Sequence, residues 1–305
     1  MSLQKYTALL KTVELGSFSL AAEQMGYTQP AVSKMISDLE AQWHVDLLCR
    51  SRAGLEPSSA CLQLLPILRA IQADCEALNF AVAEIHGAHT GLVRVGIFTS
   101  VADMWIPNLL KTFQQRYPNI EFELINMESY TEIEENIRHG KIDCGFVRLP
   151  TINDLQAHFL MRDELVAVLP PDHPLADASV FPVAQLEGAP FIKLREKSDF
   201  EVAHFLNRIP YTPKLCYEVS SDHTVLSMVE CGLGITITHS LIANNPRYNV
   251  VRKRFDIDQY RDIAIATAKN VRLAGTAKLF VDHVTSEIMT MSLTAALPSR
   301  DAHIG

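Results

Sequence analysis

The chain has 305 residues, 48% of them hydrophobic and 20% charged, the balance of a soluble globular protein with room for two or three separate cores. No apolar run reaches the roughly 18 residues of a membrane span, and the start, MSLQKYTALLKTVELG, lacks the basic, apolar, small-residue order of a secretion signal, so a cytoplasmic location is expected. The net charge of −8 excludes nucleic-acid affinity by bulk charge. Within residues 1–60, Lys5, Lys11, Lys34, Arg50 and Arg52 are outnumbered by Glu14, Glu23, Asp38, Glu40, Asp46 and Glu56, so any DNA contact there rests on the local placement of a few cations.

The first zone, 1–57, is dense in short helical patterns. Leu3, Tyr6, Leu9, Leu10 and Val13 recur at helical spacing, and Gly16 ends that helix. Ser17 or Ser19 caps a second helix marked by Leu20, Ala21 and Met25, which stops at Gly26. A third begins near Thr28 or Gln29, with Pro30 in its first turn, where the missing N–H is no loss. Its buried stripe is Val32, Ile36, Leu39 and Trp43. Gln29, Ser33 and Ser37 then share an outward face beside Lys34, all side chains able to reach base edges or phosphates. Two short helices joined through a glycine turn form a helix-turn-helix pattern; a solvated face of an ordinary helical domain is the alternative. Cys49-Arg50-Ser51-Arg52-Ala53-Gly54 reads as a strand and tight turn, with its arginines either on the phosphate backbone or merely on the surface.

The second zone, 58–90, carries the cleanest periodicity. Cys61, Leu64, Leu68, Ile71, Cys75, Leu78, Val82 and Ile85 step by threes and fours. Such a seam needs a partner helix, expected from a second copy of the chain, with packing on its own chain as the alternative. Pro66 kinks this helix or marks its effective start, and Gly87 and Gly91 close it as a hinge.

From Gly91 onward, strands alternate with helices. Strands are expected at 93–98, 121–127, 144–147, 159–169, 191–194, 215–219, 235–238 and 263–268. The helices are Met104 to Arg116, Glu132 to His139, one from Phe200, one from Val225, and one from Thr276 to about Thr290. This order implies parallel β-α-β units in two halves with a ligand cleft between them. The tail from Pro298 reads as disordered. Cys49, Cys61, Cys75, Cys144, Cys216 and Cys231 have no C-x-x-C spacing. Neither a disulfide framework nor a zinc site is expected, and most should be buried apolar fillers.

Segment 15–40, LGSFSLAAEQMGYTQPAVSKMISDLE, closely resembles the helix-turn-helix of LysR-type transcriptional regulators, through Gly16-Ser17-Phe18, Ala21-Ala22, Gln29-Pro30, Val32-Ser33 and Leu39-Glu40. The resemblance runs on through Pro107, Phe113 and Tyr117-Pro118, Gly140-Lys141-Ile142-Asp143, His173-Pro174-Leu175-Ala176 and Gly232-Leu233-Gly234-Ile235. It implies an α+β multidomain chain: a winged helix-turn-helix over 1–57, a linker helix and hinge over 58–90, and an effector-binding domain over 91–298. That domain consists of two α/β subdomains resembling periplasmic binding proteins, the first about 91–162 and 267–292, the second about 163–266. It further implies a homodimer or tetramer on double-stranded promoter DNA, working with RNA polymerase, with output set by a small-molecule effector in the cleft and without cofactor, metal or enzymatic activity.

Carried over by residue, the resemblance assigns DNA contacts to Thr28, Gln29, Pro30, Ser33, Lys34 and Ser37, and wing contacts to Arg50 and Arg52. Thr99, Ser100, Ser129, Val147, Arg148, Lys193 and Thr224 fall at effector positions. Phe146-Val147-Arg148-Leu149-Pro150 resembles members that sense aromatic acids and related carboxylates. Arg148 either pairs with an effector carboxylate bidentately or closes a salt bridge across the seam between subdomains; both readings stay open. The sequence departs from the family where Lys34 replaces the commoner arginine, where Trp43-His44 replaces a Leu-Gly turn, at Pro57 and Cys61, and at His239, which stands in place of a proline and reads as a loop residue, with an effector contact as the alternative. A solute-binding protein is the rival reading, and it does not account for residues 1–57. No G-x-S-x-G, P-loop or H-E-x-x-H motif supports an enzyme, and His86 and His89 lack further metal ligands nearby.

Overall fold

Ala8, Leu9, Ala21, Ala22, Val32, Ile36, Leu39 and Leu47 form a first core, which holds together α1 (Leu3–Leu15), α2 (Phe18–Met25) and α3 (Gln29–Trp43). In the computed structural model, residues 3–51, 54–85, 89–195, 201–269, 273 and 275–296 are described. Arg52, His86, Gly87, the tail from Pro298 and the side chains of Arg50 and Ile85 lie outside them. Helix α2 begins with the Ser17 hydroxyl accepting from the Leu20 N–H and ends at Gly26, whose φ of +68° is the left-handed cap that glycine adopts without strain. Helix α3 starts with Pro30 in its first turn, as its fixed φ favours. Leu20 is exposed and Ala22 takes its place in the core. Strands β1 (Leu48–Ser51) and β2 (Gly54–Pro57) pair antiparallel, Arg50 opposite Leu55.

Helix α4 (Ser59–Ile85) runs through Pro66, which lies inside the helix rather than at its start. Its apolar seam divides. Cys61, Leu65 and Leu68 are buried in the first core of the same chain, whereas Leu78 is 65% exposed and Val82 48%.

The remaining chain builds two lobes on one continuous strand path. In the first lobe, β3 (Gly91–Ile97) lies parallel to β4 (Ile120–Asn126) and to β5 (Cys144–Leu149). Helices α5 (Thr99–Met104), α6 (Ile106–Arg116) and α7 (Tyr130–Arg138) connect them. The single helix expected over Met104 to Arg116 is two, because Trp105 breaks the run before Pro107 and caps both. Gly145 lets α7 lie close on the sheet: a Cβ there would stand 2.5 Å from Ile133 Cγ2.

The long strand β6 (Leu155–Leu169) belongs to both lobes. Its first part pairs antiparallel with β11 (Tyr260–Ala268). From Leu165 it pairs with β9 (Thr236–His239) and from Val166 with β10 (Val251–Arg254). In this second half, Leu165, Ala167 and Leu169 enter one core, and Val166 and Val168 another. A strand covered on both faces shows this period of two. Strands β7 (Pro190–Leu194) and β8 (Lys214–Val219) pair parallel. Helices α8 (Glu201–Arg208), α9 (Asp222–Glu230) and α10 (Ser240–Ala243) complete the second lobe. The chain returns to the first lobe earlier than residue 267, because β11 already pairs with β5 from Asp262 to Ala266. The expected parallel β-α-β units are present in β3, β4 and β5 and in β7 and β8, whereas β6 and β11 run antiparallel to their partners. Helix α11 (Gly275–Ala296) closes the fold through Phe280, edge-on to Phe113 and Phe122. All six cysteines are free, but only Cys61 and Cys144 are buried; Cys49, Cys216 and Cys231 are exposed, correcting the expectation of apolar fillers.

Candidate functional site

Two surfaces carry the chemistry. The first is the start of α3. Its buried stripe of Val32, Ile36 and Leu39 fixes which face turns outward. Thr28, Gln29, Pro30, Lys34 and Ser37 are exposed, and Ser33 is half-buried beside them. Thr28 caps the helix by backbone geometry alone, with no side-chain hydrogen bond to the first turn. The helix N-terminus thus keeps unsatisfied N–H groups at the surface, an arrangement suited to phosphate. Lys34 is not a free cation: its Nζ lies 3.1 Å from Asp38 Oδ1, while Lys5 Nζ lies 2.8 Å from Asp38 Oδ2. Hydrogen bonds from Lys5 and then Lys34 hold the Asp38 carboxyl below its usual range.

The second surface is the seam between the lobes. Arg261 on β11 stands opposite Asp163 on β6 in the strand register, so both side chains project from the same face. Their contact is doubled, Nε at 3.0 Å and Nη2 at 2.7 Å from Asp163 Oδ2. The guanidinium also donates to Ser100 Oγ at 2.9 Å and to the Tyr130 hydroxyl, and lies over the Phe98 ring. The second oxygen of Asp163 accepts from Ser240 Oγ at 2.8 Å and from the Leu241 N–H at 2.9 Å, at the start of α10. Both charged side chains are buried; beyond their mutual contact, Arg261 is satisfied by Ser100 and Tyr130 of the first lobe and Asp163 by Ser240 and Leu241 of the second, as burial demands. Burial opposes the Arg261 charge, but Tyr130, Asp163 and Glu201 outweigh it and raise its pKa.

Beside this pair, Arg148 at the end of β5 meets Glu201 at the start of α8, Nη1 to Oε1 at 3.2 Å. The other carboxylate oxygen lies 3.1 Å from His239 Nε2. His239 is the last residue of β9 and is buried, not a loop residue. Burial, reinforced by Arg261 and Arg148, pushes its pKa well down, so the ring is neutral. A further contact crosses the seam from α5 to α9, His223 Nε2 to Asp103 Oδ2 at 3.2 Å.

The residues expected at the effector site divide accordingly. Ser100 and Arg148 come together with Arg261 and Glu201. Thr99 and Ser129 are half-buried, Ser129 heading α7 without a side-chain cap bond. Val147 lies within β5, fully buried in the first lobe's core. Lys193 pairs with Glu218 at 3.1 Å, and Thr224 is exposed on the first turn of α9. Sequence reasoning missed Arg261, Asp163, Glu201 and Tyr130. The one signal for the first two was a charge flanking each apolar run, at Asp163 before Leu165 and at Arg261 before Ile263. A separate cavity of about 700 Å³ opens between α1, α4 and the first lobe, lined by Leu62, Leu65, Arg69, Glu123, Asn136 and Gly140. At its edge, Arg69 on α4 donates to the His139 carbonyl.

The family model described as bacterial regulatory helix-turn-helix protein, lysR family, matches residues 3–62, and that of the LysR substrate binding domain matches residues 86–288. Among relatives, the chain is 28% identical over 286 residues to the uncharacterized HTH-type transcriptional regulator YvbU of Bacillus subtilis, covering 92% of this chain and 97% of that one. Full-length OxyR C199D from Pseudomonas aeruginosa superposes with a TM-score of 0.73 at 18% identity, over 93% of this chain and 98% of that one. The CcmR regulatory domain of Synechocystis PCC6803 in complex with 2-PG gives a TM-score of 0.60 at 23% identity, over 66% of this chain and 99% of that one.

Proposed function

This chain belongs to the LysR family of DNA-binding transcriptional regulators, and on that premise we propose how its residues divide the work. The winged helix-turn-helix of 1–57 binds promoter DNA. Thr28, Gln29, Pro30, Ser33, Lys34 and Ser37 line the face that enters the major groove, with Arg50 and Arg52 of the wing on the backbone. Residues 58–90 join two copies of the chain, as a homodimer or a tetramer, and the assembly acts with RNA polymerase in the cytoplasm. Residues 91–298 hold a small-molecule effector at the seam of the two lobes, among Thr99, Ser100, Ser129, Arg148, Lys193 and Thr224. An organic acid fits the guanidinium of Arg148.

The observation that carries this reading is the exposed start of α3, whose Thr28 cap makes no side-chain hydrogen bond, with Val32, Ile36 and Leu39 buried behind it. No helix among the described residues is long and apolar enough to cross a membrane. The CcmR domain, which shares the fold of the two lobes, is known with 2-PG, and this supports a small-molecule ligand here.

The test is enrichment of genomic fragments by the purified chain. The wild-type chain is expected to retain a small set of fragments reproducibly. Gln29→Ala removes a base contact of about 1–3 kcal/mol and should lose that selectivity while keeping weak retention of all fragments. A wild-type chain retaining every fragment equally would contradict the reading.

A further inference from the structure

The seam holds a carboxylate supplied by the protein itself. Glu201 begins α8 on the second lobe, yet its side chain reaches the end of β5 on the first and is only 11% exposed. One oxygen faces the Arg148 guanidinium and the other His239 Nε2. Arg148 in turn lies over the Tyr130 ring, 5.9 Å from its centroid. Behind them the only other close cation among the described seam residues, Arg261, is already matched by Asp163. Removing Glu201 from this position leaves Arg148 uncompensated beside a neutral imidazole. The vacated site carries net positive charge and offers a forked donor and a ring nitrogen.

We propose that Glu201 is a tethered stand-in for the effector, and that the effector is a carboxylate that displaces it from Arg148 and His239, releasing α8 from the first lobe. This rests on the reading of the seam as the effector site and names the ligand's class and the residues that receive it. A cationic ligand does not suit the position, because it leaves Glu201 in place and meets Arg148. The tether also sets a threshold. A side chain on a short connection competes at an effective concentration in the millimolar range or above, so a bare carboxylate is outcompeted. An effector succeeds only when the rest of the molecule adds interactions of its own.

The experiment uses the full chain, with acetate as the probe and chloride as the control at matched ionic strength. Glu201→Ala vacates the position, and Glu201→Gln keeps its volume while removing its charge. Calorimetric titration is expected to give both variants an acetate affinity at least about tenfold above wild type, the scale of one charge-assisted hydrogen bond. Their melting temperatures should rise in acetate but not in chloride, since a ligand bound only to the folded chain stabilises it. Adding Arg148→Ala to Glu201→Gln should abolish both effects. If Glu201→Ala does not fold, the isosteric Glu201→Gln gives the answer alone. Equal melting in acetate and chloride, or acetate binding that survives Arg148→Ala, overturns the proposal. No DNA enters the assay. A chain that takes acetate through Arg148 yet selects no genomic fragment keeps this site and loses the regulatory reading; the opposite pattern removes the site alone.

Discussion

His44 holds the C-cap of α3 with φ +56°, a left-handed conformation that costs an L residue about 1 kcal/mol and costs glycine little. Its place in the Leu-Gly turn of the resembling sequences already pointed there. His44→Gly is expected to stabilise the helix-turn-helix by up to about 1 kcal/mol in urea unfolding, and His44→Ala should not; equal midpoints for the two variants would contradict the strain. Two turns earlier on the same helix, Asp38 ties down both Lys5 and Lys34. If α3 meets DNA as proposed, this acid restrains a cation of the contact face. Asp38→Asn is therefore expected to steepen the salt dependence of binding to random duplexes, by about 0.9 in log–log slope for each further phosphate that a freed lysine neutralises. An unchanged slope would mean that Lys34 does not reach the backbone. At this scale the exposed face of α3 was readable from spacing alone. The buried charges were not, because Arg261 and Asp163 are distant in sequence and meet only through strand register.

Helix α4 shows how periodicity fixes an element without fixing its partner. The three-four spacing from Cys61 to Ile85 identified the helix, but half of the stripe packs on α1 and the first core, and Leu78 and Val82 remain uncovered. A buried aspartate in an apolar interface costs several kcal/mol, so Leu78→Asp should convert the assembly to monomers. Sedimentation at micromolar concentration reads this directly, and a variant that stays dimeric excludes α4's outer half from the interface. Most strands were legible because their apolar runs are continuous. Strand β10 was not: Val251-Arg252-Lys253-Arg254 is an edge strand carrying charge, and edge strands are polar for the same reason that they are hard to read. Strand β6 was legible as one long apolar run, but its antiparallel pairing was not, since the run carries no mark of the strands beside it.

In the whole molecule, the lobes are joined at a charged seam. Arg261→Ala leaves the fully buried Asp163 carboxylate with only the Ser240 hydroxyl and the Leu241 N–H, and should cost about 3–5 kcal/mol in the urea unfolding of the two-lobed region. A loss below 1 kcal/mol would show that the pair is solvated. The seam also predicts a pH dependence. His239 is held neutral in the fold by burial and by Arg261 and Arg148, while the unfolded imidazole takes up a proton near its ordinary 6.5. The unfolded state then binds more protons below that pH, so stability should fall as pH drops through about 6.5, by at most about 1.4 kcal/mol per unit. His239→Gln should flatten that part of the curve, and an unchanged slope would assign the loss to other groups. The central claim is that α3 reads base sequence while the rest of the module supplies sequence-independent affinity. Fluorescence anisotropy on an enriched fragment and on its scrambled duplex tests it most directly. The account predicts that Gln29→Ala loses about 1–3 kcal/mol on the enriched duplex and almost nothing on the scrambled one; equal losses on both would contradict it.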